Sequence, residues 1–134
     1  MTDYTQNPQK QTLENEIQGC ITEETIEITK GIGEELKEVP STQLRKFFGE
    51  VKRIQMNGRV EPNGYNESQL ILLKPKLAYA VGRNKKLKEL KVLQDCLNVS
   101  IDAVTNATDK KKAFANFVSF FEAVVAYHKI NAKD

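Results

Sequence analysis

Arg45, Lys46, Lys52 and Arg53 surround Gly49 in the stretch LRKFFGEVKRI, two of them three residues away from it and two of them four. Those separations bring side chains onto adjoining turns of a helix, so four cations would ring one bare backbone position. A glycine inside a helix costs about 0.5–1 kcal/mol relative to alanine, and close approach of a sugar-phosphate chain is one reason to keep it. A neighbouring helix, or a tolerated defect on a solvated face, is the plainer alternative. A second set follows in LLKPKLAYAVGR, where Lys76, Tyr79 and Arg83 stand at i, i+3 and i+7, and Lys85 and Lys86 extend it. Six cations fall between Ser68 and Lys88 with no acid among them. Cations with an interleaved aromatic suit a phosphate-bearing polymer whose backbone is held while its bases go unread. Lys110, Lys111 and Lys112 form a third cluster in the first turn of the last helix. The positive end of the helix dipole disfavours them there, so they either face an anion or point into solvent.

Catalytic chemistry finds less support. The one histidine, His128, lies late in an aromatic helix, where a structural place is the expectation rather than a general base. No nucleophile elbow, paired-histidine zinc motif or phosphate-cradling glycine loop is present, and the acids after residue 40 are scattered. Cys20 and Cys96 lie far apart without ligand spacing, so neither a metal site nor a disulfide framework is expected, and no cofactor is implied. The reading is of a protein that binds and does not catalyse.

The elements that must position these residues are helical. Pro40 and Ser41 supply a stop and an N-cap for STQLRKFFGEVKRIQMN, whose Leu44, Phe47, Phe48, Val51 and Ile54 share one face, and Asn57 with Gly58 suggests a left-handed end. Asn66, three residues before Gln69, caps a second helix that continues through Pro75 as a kink, because Leu70, Leu73 and Leu77 stay in phase. The other possibility is that Pro75 opens a new helix. Leu87, Leu90, Leu93 and Leu97 predict a third helix over 86–97, with one short helical turn beyond it. Thr108 or Asp109 caps a last helix so aromatic that it should be central. No period-two pattern occurs, and the expected architecture is an all-α, compact, single-domain helical bundle of about four to six helices. Charge divides the chain: residues 1–40 carry nine acids against three lysines, and residues 41–134 carry seventeen Lys or Arg against nine acids. The expectation is an acidic, partly ordered N-terminal arm over 1–40 and a basic helical domain over 41–134. No stretch approaches the ~18 apolar residues of a membrane span, and the N-terminus lacks a signal-peptide layout, so a cytoplasmic protein is expected.

STQLRKFFGEVKRI, LLKPKLAYAVGR and FANFVSFFEAVVAYHK, in this order and at these separations, resemble the small helical subunit of the type III-A CRISPR effector, the Csm complex. The resemblance covers about residues 41–130. It implies a non-catalytic subunit of an RNA-guided ribonucleoprotein in antiviral defence. Copies of that subunit stack as a minor filament beside the crRNA-bearing backbone subunits and line the groove where target RNA pairs with the guide. Target-RNA cleavage belongs there to the backbone subunits, and cyclic oligoadenylate synthesis and DNase activity to the large one. The implied partners are target RNA, crRNA, the other Csm subunits and neighbouring copies of the chain. Motif position carries over Arg45, Lys46, Lys52, Arg53, Lys76 and Arg83 as RNA-binding and Phe114 through Tyr127 as core. Lys85, Lys86 and Lys110–Lys112 lie outside the motifs and rest on the residue reading. The alternative, from another class, is a helical adaptor whose basic face meets an acidic protein without touching RNA.

Overall fold

The computed structural model describes residues 9–134. Seven α-helices follow one another: α1 (Gln9–Gln18), α2 (Glu23–Glu35), α3 (Ser41–Asn57), α4 (Glu67–Ile71), α5 (Leu73–Arg83), α6 (Leu90–Thr105) and α7 (Lys110–Asn131), with a 3-10 turn at Gly58–Val60. Six of them have ten residues or more, α4 has five, and no strand occurs among the described residues. The all-α expectation holds.

Local capping sets several of the boundaries. Thr22 and Thr25 cap α2 reciprocally, the Thr22 amide donating to Thr25 Oγ1 at 3.0 Å. Asn66 Oδ1 accepts from the Gln69 amide at 3.0 Å to start α4, and Asp109 Oδ1 accepts from the Lys112 amide at 3.1 Å to start α7. Ser41 departs from its expected capping role. Pro40 holds the cap position, and the Ser41 amide and hydroxyl both donate to the Asp134 carboxylate at 2.9 Å, so the cap comes from the far end of the chain. Gly58 likewise is not left-handed: its φ is −80° and the chain runs on into the 3-10 turn. Space explains this glycine, since a Cβ there would lie 2.2 Å from the Gly64 carbonyl oxygen and 2.6 Å from Tyr65 Cα. The left-handed residue is Gly64, at φ +79°.

Pro75 neither kinks one long helix nor opens a new one. The break falls at Leu72, and Pro75 is the third residue of α5. A proline has no N–H for the carbonyl four residues earlier, and its ring crowds that carbonyl. Here that residue is Ile71, the last of α4, and in the first turn of α5 the missing donor leaves no gap. The third helix also shifts: the chain turns through residues 84–89, and α6 runs unbroken from Leu90 to Thr105. Its buried residues extend from Leu90 through Val104, so VSIDAVT belongs to a core helix and not to a separate turn.

The expected boundary at residue 40 does not divide the packing. Leu13 and Ile17 of α1, Ile28 and Ile32 of α2, and Leu36 and Val39 beyond it are buried in the same core as the rest. Gln18 Nε2 donates to the Ala103 carbonyl at 3.0 Å, and Asn116 Nδ2 donates to the Ile17 and Gly19 carbonyls at 3.0 and 3.1 Å. Gly33 lets α2 cross α7 closely, since an added Cβ would sit 2.8 Å from the Tyr127 and His128 backbone. The weak helix propensity of the threonine- and glycine-bearing α2 is overridden by this burial. As expected, α7 is central: it packs on α1, α2, α3 and α6, and Phe117, Phe120 and Phe121 are fully buried.

Candidate nucleic-acid interface

Burial of Leu44, Phe47, Val51 and Ile54 fixes the rotation of α3, and the charged residues between them are thereby turned outward. Arg45, Lys46, Gly49, Lys52 and Arg53 are all exposed. On the unbroken helix Arg45 and Lys52 run along one side of Gly49, and Lys46 and Arg53 along the other. Nothing lies within 4 Å of where a Gly49 Cβ would be, so no neighbouring helix accounts for this glycine. Leu73 and Leu77 anchor α5 in the same way, leaving Lys76, Tyr79 and Arg83 exposed. The Arg83 guanidinium carbon stands 5.6 Å from the Tyr79 ring centroid, a cation–π contact across one turn.

The two helices flank a groove of about 470 Å³, lined by Gln43, Lys46, Phe47 and Glu50 from α3 and by Pro75, Lys76, Tyr79, Ala80, Arg83 and Asn84 from α5 and its end. Lys46, Lys76, Tyr79 and Arg83 are thus brought together from two separate motifs. A shallower hollow lined by residues 82–87 shares Arg83 and Asn84 with the groove and adds Lys85 and Lys86, both exposed. Arg45 is set apart. It lines a small recess beside His128 and Lys129, toward the C-terminal end of α7. Lys52 faces solvent and donates to Gln55 Oε1 at 2.9 Å.

Glu50 was not singled out in the sequence, yet it stands in the middle of the basic face. Its carboxylate pairs with Lys76 at 3.2 Å and with Arg53. Partial burial alone would raise its pKa, but the hydrogen bond and charge of Lys76, with Arg53 beside it, bring the carboxyl below its ordinary value. The signal was available, because Glu50 lies four residues after Lys46 and three before Arg53. Lys74 is similarly engaged by Asp102, and Lys110 by Glu67 at 2.8 Å, so that one member of the third lysine cluster braces α7 against α4. Lys111 and Lys112 are exposed.

His128 is buried, and its Nε2 lies 2.8 Å from the Val39 carbonyl oxygen, which fixes the proton on that nitrogen and ties α7 to the α2–α3 connection. Cys96 is buried, which pushes its thiol pKa well up, whereas Cys20 is exposed. Among the described residues no three His, Cys, Asp or Glu side chains gather as a metal site, and no helix is long and apolar enough to cross a membrane.

Fold and surface together describe a small all-helical chain with a cation-lined groove between α3 and α5. The Csm2 Type III-A family model matches residues 21–134, and the chain belongs to that family, the small subunit of the type III-A CRISPR Csm complex. The match takes in α2, so the family unit begins well before Ser41. No curated protein and no solved structure matches the chain.

Proposed function

We propose that this small subunit holds RNA in the Csm complex by its sugar-phosphate backbone, along the face formed by α3 and α5, and so supports target-RNA binding in the groove where target pairs with crRNA. One observation carries the reading: Lys46, Lys76 and Arg83, from two helices separated in sequence, converge with exposed Tyr79 on a single groove. Cations arranged around a stacking face suit a single strand or the backbone of a guide–target duplex, and sequence is left to base pairing. Arg53, Lys52 and the open Gly49 extend that face along α3, and Lys85 and Lys86 extend it beyond α5. Apolar side chains exposed elsewhere, Met56, Val60 and Ile130 among them, supply surface for neighbouring copies and other Csm subunits.

A second reading keeps one observation in its favour. Lys76 and Arg53 already bind a carboxylate, that of Glu50, so an acidic protein surface fits the same cations. Complexes reconstituted with a Lys76→Glu, Arg83→Glu subunit separate the two. The RNA reading expects intact assembly with target-RNA affinity strongly reduced. Failure of this subunit to join the complex, with RNA affinity unchanged, would favour the adaptor.

A further inference from the structure

The groove between α3 and α5 has an interior whose chemistry differs from its rim. Buried Phe47 and half-buried Ala80 supply an apolar floor, while Lys46, Lys76 and Arg83 are exposed around it. Its volume of about 470 Å³ falls within the ~300–1,000 Å³ typical of small-ligand clefts. A bare track of phosphates needs no such hollow. Glu50 lines it with an ionised carboxylate, which repels a phosphate from the interior but accepts hydrogen bonds from neutral N–H groups. At the lip, Tyr79 remains 67% exposed with the Arg83 guanidinium against its ring, an aromatic platform held in place and open to solvent.

We infer that this groove takes one unstacked nucleobase of a single-stranded RNA segment, laid against Tyr79, with the flanking phosphates on Lys46, Lys76 and Arg83. The inference rests on the reading of this face as an RNA surface. The charges favour one orientation: Lys46 and Arg83 draw the flanking phosphates, Glu50 is already paired with Lys76 and Arg53, and the apolar floor of Phe47 and Ala80 is left to the uncharged base. Every base offers a π-face, so the groove adds affinity without reading sequence.

The test titrates the full-length chain at low salt with a short single-stranded RNA containing 2-aminopurine, whose fluorescence falls when the base stacks. A ribose-phosphate strand of the same length without bases runs in parallel. Wild-type protein and Tyr79→Phe should quench the fluorophore and prefer the base-bearing strand. Tyr79→Ala, at an exposed position where the fold does not depend on the ring, should abolish the quench. It should also weaken binding of the base-bearing strand by about 5- to 150-fold, the range one base–aromatic stack provides. Its affinity for the baseless strand should change far less, so that the preference for the base-bearing strand is lost. Equal wild-type affinity for the two strands, or a quench that survives Tyr79→Ala, overturns the base site and leaves the phosphate face standing. Binding of neither strand overturns both. A 2-aminopurine ribonucleoside monophosphate that binds as tightly as the strand would make a free nucleotide the ligand and overturn the assignment to a strand.

Discussion

Glu50 sets how much of the basic face is available to a ligand, because it engages Lys76 and Arg53 at once. A phosphate that takes up either cation must displace the carboxylate. Exposed ion pairs are worth only ~0.2–1 kcal/mol, so Glu50→Gln should strengthen RNA binding by roughly two- to fivefold at low salt, measured by titration with unrelated sequences. Unchanged or weaker binding would mean that Glu50 orients the two cations and does not compete for them. His128 is a residue of the opposite kind, buried and committed to the Val39 carbonyl. His128→Ala strands that carbonyl, and a loss of about 1–3 kcal/mol in chemical denaturation is expected. RNA cleavage by the assembled complex should stay as it was. A cleavage rate lower by orders of magnitude in an intact complex would contradict the structural role.

At the scale of elements, two glycines in helices make opposite predictions. A Gly33 Cβ would meet the α7 backbone at 2.8 Å, so Gly33→Ala must push α2 from α7 and should destabilise by about 1–3 kcal/mol. A Gly49 Cβ would meet nothing, so Gly49→Ala should stabilise by about 0.5–1 kcal/mol through helix propensity alone. Thermal melts of the two variants check both signs. Phe117→Ala, in the fully buried part of α7, should cost about 3–5 kcal/mol, and an unmoved melting temperature would mean that α7 is peripheral. The same elements indicate what could be read from the sequence. α3 and α7 were legible because Leu44, Phe47, Val51 and Ile54, and Phe114, Phe117, Phe121 and Val124, repeat at helical spacing. α2 was not, because Thr25, Ile28, Thr29, Ile32 and Gly33 are poor helix formers whose burial comes from α7, distant in sequence. α6 began later than its leucines suggested, since Leu87 packs on the core from a turn.

Over the whole molecule, the acidic first forty residues supply α1 and α2 to the core, while exposed cations gather on α3, α5 and the turn after α5. The members of this face could be named from sequence, but its shape could not: spacing within a motif says nothing of how Lys46 on α3 meets Tyr79 on α5. Reading cations alone also passed over Glu50, and Arg45 proved to sit apart from the groove. If this face holds RNA through phosphates without regard to sequence, the loss of single cations must weaken binding alike for every target. The deciding measurement is the target-RNA affinity of reconstituted complexes across a salt series, for Lys52→Ala, Arg53→Ala, Lys76→Ala and Arg83→Ala. Each variant should bind unrelated targets more weakly by a similar factor, and the slope of log affinity against log salt should fall by ~0.7–0.9 per lost contact. Wild-type affinities and slopes in all four would contradict binding through phosphates.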